Sequence, residues 1–306
     1  AKEPNSAPVA LEIRQIIDIL RPMEIFSRVG AQEISLPPQG SIRFPRDTSD
    51  PTIAAYAEGA TITESTPGTG ELTLTAKKYA GLVDIPVELF KFSTSVSVEA
   101  WLRNKFARRI AIQTDADMVN GQGGTGIKGI ITYSGFRTVV AATVGANGNT
   151  LEANDPSKLF ADIATQNARI DEGFFFAMRP NLWQVITHRR SDAVTAADKA
   201  GPYLFVHDRV GGGPLPLRLE GYPVVLSTNI PATRAKGSGT TLTLLLAGVG
   251  RSYIIARSGV VEIDMTNSDG SKFGQGLNTL RGMIFMDSGP ENEEEHGGID
   301  VLLETT

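Results

Sequence analysis

ELFKFSTSVSVEAWLRNKFARRIAIQTDADMVNGQGGTGIKGI (88–130) holds the strongest regular pattern in the chain. Val98, Leu102, Phe106 and Ile110 recur at steps of four, and Trp101 and Ala111 widen that stripe, so the segment reads as one amphipathic helix. Ser93, Thr94, Ser95 and Ser97 offer N-caps, Glu99 sits early in the first turns, and Asn120-Gly121 is a C-terminal stop. More than about twenty residues at ~1.5 Å each make a rod longer than ~30 Å.

Upstream of the helix, SIRF (41–44) and ELTLTAKKYAGLVDIPVEL (71–89) read as strands, the second alternating at Leu72, Leu74 and Ala76. Between them, 46–70 is rich in Asp, Ser, Thr, Pro and Gly. Two strands around a long polar excursion are marginal alone in water, so this arm needs a partner surface. Further upstream, a polar start is followed by an apolar run from Leu11 to Leu20 that stops at Pro22, then by Ile25, Phe26, Val29, Ile34 and Leu36. That opening is too interrupted to make its own core and reads as a second arm laid against something else.

Downstream, Asp155-Pro156 reads as a cap and first-turn Pro of a helix running to Gly173. FFFAM (174–178) is a buried strand and RPNLWQVITHR (179–189) a short helix. After the polar SDAVTAADKAGP, strand-like pieces recur: YLFV, YPVVLS, TLTLLLAG, SYIIA, VVEID and NTLRGMIFMD. ENEEEHGG (291–298) reads as a solvated tail. Helices mixed with strands crowded toward the end indicate an α+β fold.

Composition narrows the function classes. With no Cys, disulfides, thiol catalysis and thiolate metal sites are excluded together. No run of about 18 apolar residues occurs that would cross a membrane as a helix, and Ala1-Lys2-Glu3-Pro4 has no signal-peptide core. The net charge of -5 argues against a protein that grips nucleic acid by charge. Arg103, Lys105, Arg108 and Arg109 are the densest basic group and read as a solvated or interface face of the helix.

Short motifs give no chemistry. GQGGTG (121–126) spells the dinucleotide pattern, but a helix precedes it and the strand-like IKGIITY follows, the reverse of what phosphate binding requires. Its glycines read as a sharp turn out of the helix. Asp115 and Asp117 are two apart on a helix and cannot form a dyad. His188, His207 and His296 lack metal spacing, and Glu293, Glu294 and Glu295 lack the spaced ligands of a calcium loop. No catalytic, cofactor-binding or metal-binding residue is assigned.

The order of the segments resembles one family. The 88–130 stretch is similar to the Glu-Leu pair, spine helix, aspartate-rich turn and Asn-Gly-x-Gly loop of HK97-fold major capsid proteins of tailed bacteriophages. Met178-Arg179-Pro180-Asn181-Leu182-Trp183 resembles their Asn-Pro-x-x-Trp helix start, with Arg179 where Asn is usual. Gly201-Pro202-Tyr203-Leu204-Phe205, Leu219-Glu220-Gly221-Tyr222-Pro223-Val224-Val225 with Ser227, and Leu246-Ala247-Gly248 follow in the family's order.

The resemblance implies an N-arm (1–40), an E-loop (41–78) lying over a neighbouring subunit, and a P-domain (79–126) with its spine helix at about 96–120. It further implies an A-domain (127–247), P-domain return strands (248–290) and a C-terminal tail (291–306). It implies a structural, non-enzymatic chain that self-assembles into hexamers and pentamers of an icosahedral shell around double-stranded DNA, held non-specifically. Portal, scaffold and protease would be partners during assembly in the host cytoplasm. An encapsulin, the same fold enclosing a cargo enzyme, is the alternative. Some members join an E-loop Lys to a P-domain Asn, promoted by a Glu. This chain has no Lys between Arg46 and Ala76, and 272–287 offers Asn278 but no Glu, so no such bond is expected.

Overall fold

The computed structural model describes residues 24–49, 51–88, 98–138, 148, 151–152, 154–188, 217–259, 262–266 and 270–302. The Leu11–Leu20 run, the Ser/Thr caps at 93–97, the YLFV strand, His207 and the Gly201–Phe205 motif lie outside them.

Two sheets and a hairpin organise the chain. The first sheet contains β1 (Gln32–Ser35), β4 (Lys77–Pro86), β11 (Tyr253–Arg257), β12 (Glu262–Thr266) and β13 (Leu277–Pro290). The long β13 is its axis: its first half pairs antiparallel with both β4 and β12, and its end pairs with β11. The second sheet has seven strands: β5 (Arg137–Thr138), β6 (Phe174–Met178), β7 (Arg218–Leu219), β8 (Tyr222–Leu226), β9 (Arg234–Lys236), β10 (Gly239–Val249) and β14 (His296–Leu302). The hairpin is β2 (Ser41–Ser49) with β3 (Gly68–Thr75).

All five residues of β6 are buried because both faces of the second sheet are covered. Phe174, Phe176 and Met178 pack with Leu159 and Ile163 of the helix Asp155–Ala164 and with Leu182 and Ile186 of the helix Pro180–His188. Phe175 and Ala177 face a central core containing Ile25, Phe26, Met118, Val119 and Tyr253.

The long helix spans Val98–Asn120, close to the expected limits, but it does not bury one continuous stripe. Its first half buries Leu102 and Phe106 against Ile85 and Leu280 of the first sheet. Ile110 is only half-buried, and the last turns bury Thr114, Asp115, Met118 and Val119 on a different side. One rod is thus gripped by two cores.

Four sequence expectations are corrected. Asp155 is a buried first-turn residue rather than the cap, and its carboxylate accepts the Glu152 amide at 2.9 Å; Asn154 holds the cap position. That helix stops at Ala164, and a separate 3-10 turn at Ile170–Glu172 leads into β6. IKGIITY is no strand: Ile130–Thr132 is a 3-10 turn. The supposed tail is a 3-10 turn at Glu293–Glu295 followed by β14, which pairs with β10 along seven positions and is buried from His296 to Val301. Residues 291–302 therefore complete the second sheet.

The segment 24–35 also packs on its own chain, with β1 parallel to β11 and Phe26 stacked on Tyr253 at 3.7 Å between ring centroids. Its crossing is tight at Gly250, where an added Cβ would lie 2.1 Å from the Val29 carbonyl oxygen. Gly250→Ala should cost about 1–3 kcal/mol, because backbone rather than a movable side chain must give way. A denaturant midpoint unchanged by the substitution would show that the segment is not docked this way.

Candidate assembly surface

The β2–β3 hairpin has an anchored root and an unsupported tip. At the root, Leu72 and Leu74 are buried with Leu36, Ile254 and Ala256, and Ile42 and Phe44 pack against them. Two ion pairs fix the same end. Arg46 meets Glu293 at 2.9 Å and Lys77 meets Asp287 at 3.1 Å, while Asp287 also accepts the Thr75 amide at 2.8 Å. Burial would raise the Glu293 carboxyl, but the Gly135 amide at 2.8 Å and the Arg46 guanidinium hold it below the usual carboxylate range. Beyond the root, every described residue from 51 to 64 is exposed, including Ile53 at 91% and Ile62 at 74%. None of the described residues buries them.

A cleft beside the root is lined by Arg46, Lys77, Lys128, Tyr133, Asp287 and Glu293. Its cations are already engaged: Arg46 and Lys77 in the ion pairs above, and Lys128 over the Tyr133 ring at 4.1 Å. GQGGTG forms one wall through Gly123 and Gly124, both with positive φ. The glycines turn the chain out of the helix, as the sequence implies, and the Gly129 amide donates back to the Gly121 carbonyl at 2.8 Å.

Asp115 and Asp117 have separate roles that spacing alone did not reveal. Asp115 is buried where three segments meet: its carboxylate accepts the Ile25 amide at 2.7 Å, the Asn229 side-chain amide at 2.6 Å and the Ser227 hydroxyl at 3.4 Å. Burial pushes this carboxyl up to about 6, against the opposing pull of the Ile25 and Asn229 donors. Asp117 accepts the Tyr79 hydroxyl at 2.7 Å, and Tyr79 in turn accepts the Ile127 amide at 2.9 Å. Arg179, the residue that departs from the family's Asn, donates to the Thr228 carbonyl at 3.0 Å and to the Ile230 carbonyl.

The remaining candidates are scattered. His296 is fully buried in β14, and burial pushes its imidazole down to about 4. His188 ends the helix Pro180–His188. Glu295 is buried against Arg169, half-buried Glu293 pairs with Arg46, and no group of three metal-ligating side chains occurs among the described residues. Among the described residues the sequence motifs do not meet at one place; the hairpin is the feature that asks for a partner.

Residues 10–295 match the sequence profile of the phage capsid family. The chain belongs to the phage capsid family. Its role is structural, that of a major capsid protein, and its fold is HK97-like. Similar solved structures include the capsid of a native GTA particle, with 16% identity, 98% of this chain and 95% of that chain covered, and a TM-score of 0.74. Another is from Mycobacterium phage Cain, at 12% identity with 100% of both chains covered and a TM-score of 0.66. A third is from Gordonia phage Cozz, at 12% identity, 95% and 90% coverage, and a TM-score of 0.65. No curated protein matches the sequence. For this capsid protein, self-association into a shell is the expected use of an arm that its own fold leaves bare, and the family matched is that of phage capsids rather than of cargo compartments.

Proposed function

We propose that this capsid protein assembles into hexamers and pentamers of an icosahedral shell around double-stranded DNA, with the β2–β3 hairpin as the E-loop over a neighbouring subunit. The observation that carries the reading is the exposure of Ile53 and Ile62 on a hairpin whose root is firmly packed. Burying both would contribute about 3 kcal/mol or more per contact, repeated around a closed shell. The long helix is then the spine of the P-domain, and the seven-stranded sheet with its two helices is the A-domain. Portal, scaffold and protease act with it in the host cytoplasm. Negative-stain electron microscopy with light scattering tests the proposal: uniform closed particles or capsomer rings support it, whereas a stable monomer under assembly conditions removes it.

The shell is held without an isopeptide bond. The exposed part of the hairpin has no Lys, and Lys77 at its root is engaged by Asp287. Denatured particles should therefore run as a single band at the mass of one chain. A ladder of linked chains, with a linkage mapped to Lys77 or Lys78, would sink this.

A further inference from the structure

Among the described residues no strand ladder joins the two sheets, so their relative setting depends on the side chains and turns between them. One short segment, 24–29, touches every part that meets there. The Phe26 ring stacks on Tyr253 of β11 at 3.7 Å and stands edge-on to Phe175 of β6 at 6.3 Å between centroids, so it bridges a strand of each sheet. The Ile25 amide donates to Asp115 of the long helix, and the same carboxylate holds Ser227 and Asn229 in the turn that follows β8. Arg179 ties that turn to the helix Pro180–His188. Glu24 accepts the Thr114 hydroxyl at 3.1 Å and pairs with Arg257 at the end of β11. The Val29 carbonyl lies against Gly250, in the 3-10 turn Gly250–Ser252 that carries the chain from β10 into β11.

We infer that 24–29 is a pin in the joint between the two sheets: seated, it fixes their angle, and withdrawn, it frees the joint while each sheet stays folded. The segment precedes in sequence everything it touches, so withdrawing it threads no chain through the fold, and β1 on β11 remains as its tether. Each sheet also has a core without it. Leu159, Phe174, Phe176 and Leu182 serve the second, and Ile85, Leu102, Phe106 and Leu280 serve the first. The use of such a joint rests on the shell reading above. Hexamers and pentamers give one chain two surroundings, and a hinge meets both more cheaply than repacking a dense core.

Hydrogen exchange on the full chain tests the pin, and electron microscopy of its particles tests the use. Asn229→Asp sets a second carboxylate against Asp115, where the amide now stands at 2.6 Å, and Phe26→Leu removes the ring between the sheets while keeping the site apolar. The Val29 and Ala31 amides bond back to the Ile25 and Phe26 carbonyls. Each variant should speed their exchange about tenfold or more and leave β6, β10 and β13 as slow as before. Adding Asp115→Asn to Asn229→Asp restores a donor facing a carboxylate and should return exchange to the parent rate. Particles of the two loosened variants should spread more widely in diameter than those of the parent. Exchange that rises equally throughout both sheets overturns the inference, as does a combined variant no better than Asn229→Asp alone. An unchanged spread of diameters overturns the joint's part in the shell. If the unsubstituted chain forms no particles, the shell reading has failed, and the exchange result still decides the pin.

Discussion

Between pH 6.5 and pH 4, His296→Gln should gain about 3 kcal/mol of stability relative to the unsubstituted chain, and Asp115→Asn should lose a similar amount. The two groups are perturbed by burial in opposite senses. The Asp115 carboxyl rises from 3.8 to about 6, so its contribution is full below 3.8 and is lost as pH climbs to 6. The His296 imidazole falls from 6.5 to about 4, so its contribution is full above 6.5 and is lost as pH drops to 4. Across the shared window the folded chain keeps a proton on Asp115 while the unfolded chain keeps one on His296. Proton counts match, and the slopes cancel. Removing either group exposes the other's slope. Urea midpoints of the unassembled chain from pH 7 to pH 4 provide the measurement, each variant referenced to the parent at the same pH. Variant and parent curves that stay parallel would show that these residues do not titrate as buried groups.

Arg169→Ala should cost about 3 kcal/mol near neutral pH, the low end for breaking a buried pair because the Arg169 side chain is 39% exposed. Arg169 reaches both oxygens of Glu295, at 3.1 and 3.2 Å, and also Glu291 at 2.7 Å. The Glu295 side chain is only 3% exposed, so losing Arg169 strands a carboxylate inside the fold. Burial already tends to raise that carboxyl, and the Arg169 hydrogen bonds are what bring it below its usual range. Adding Glu295→Leu to Arg169→Ala should recover much of the loss, since the stranded charge goes with it. A single Arg169→Ala change within ~0.5 kcal/mol of the parent would rule out the pair as the anchor of 291–302.

These two sites also mark where sequence reading stops. The long helix, the FFFAM strand and the hairpin were legible because each rests on local periodicity or turn chemistry. Glu293, Glu295 and His296 looked like solvent-facing chain because their polarity is local, while the groups that cover them are distant. Arg169 lies 126 residues from Glu295, and Arg46 lies 247 from Glu293. Asp115 was legible as a helix residue, yet its donors come from Ile25 and Asn229, about a hundred residues away on either side. The stripe through Ile110 was overextended for a related reason: a helix shared by two cores changes its apolar side partway, and a single-face template cannot describe it. The candidate assembly surface was suggested in outline, since a long polar excursion between two strands already called for a partner. That the hairpin's root is clamped by ion pairs, leaving only its tip bare, required the fold.

The position of β14 has a consequence for synthesis. It lies between the short edge strand β5 and β10, so β10 lacks its neighbour on that side and β5 has no strand to pair with until the stretch 296–302 is made. The nascent polypeptide emerges from its N-terminal side and would carry its hairpin into the cell before that sheet can close. A ribosome product that stops short of Glu295 lacks the strand that completes this edge of the core, and leaves Arg169 without its buried partner. Translation thus sets the order of events: the seven-stranded sheet takes up β5 and buries β10 on that side only after 296–302 has been made.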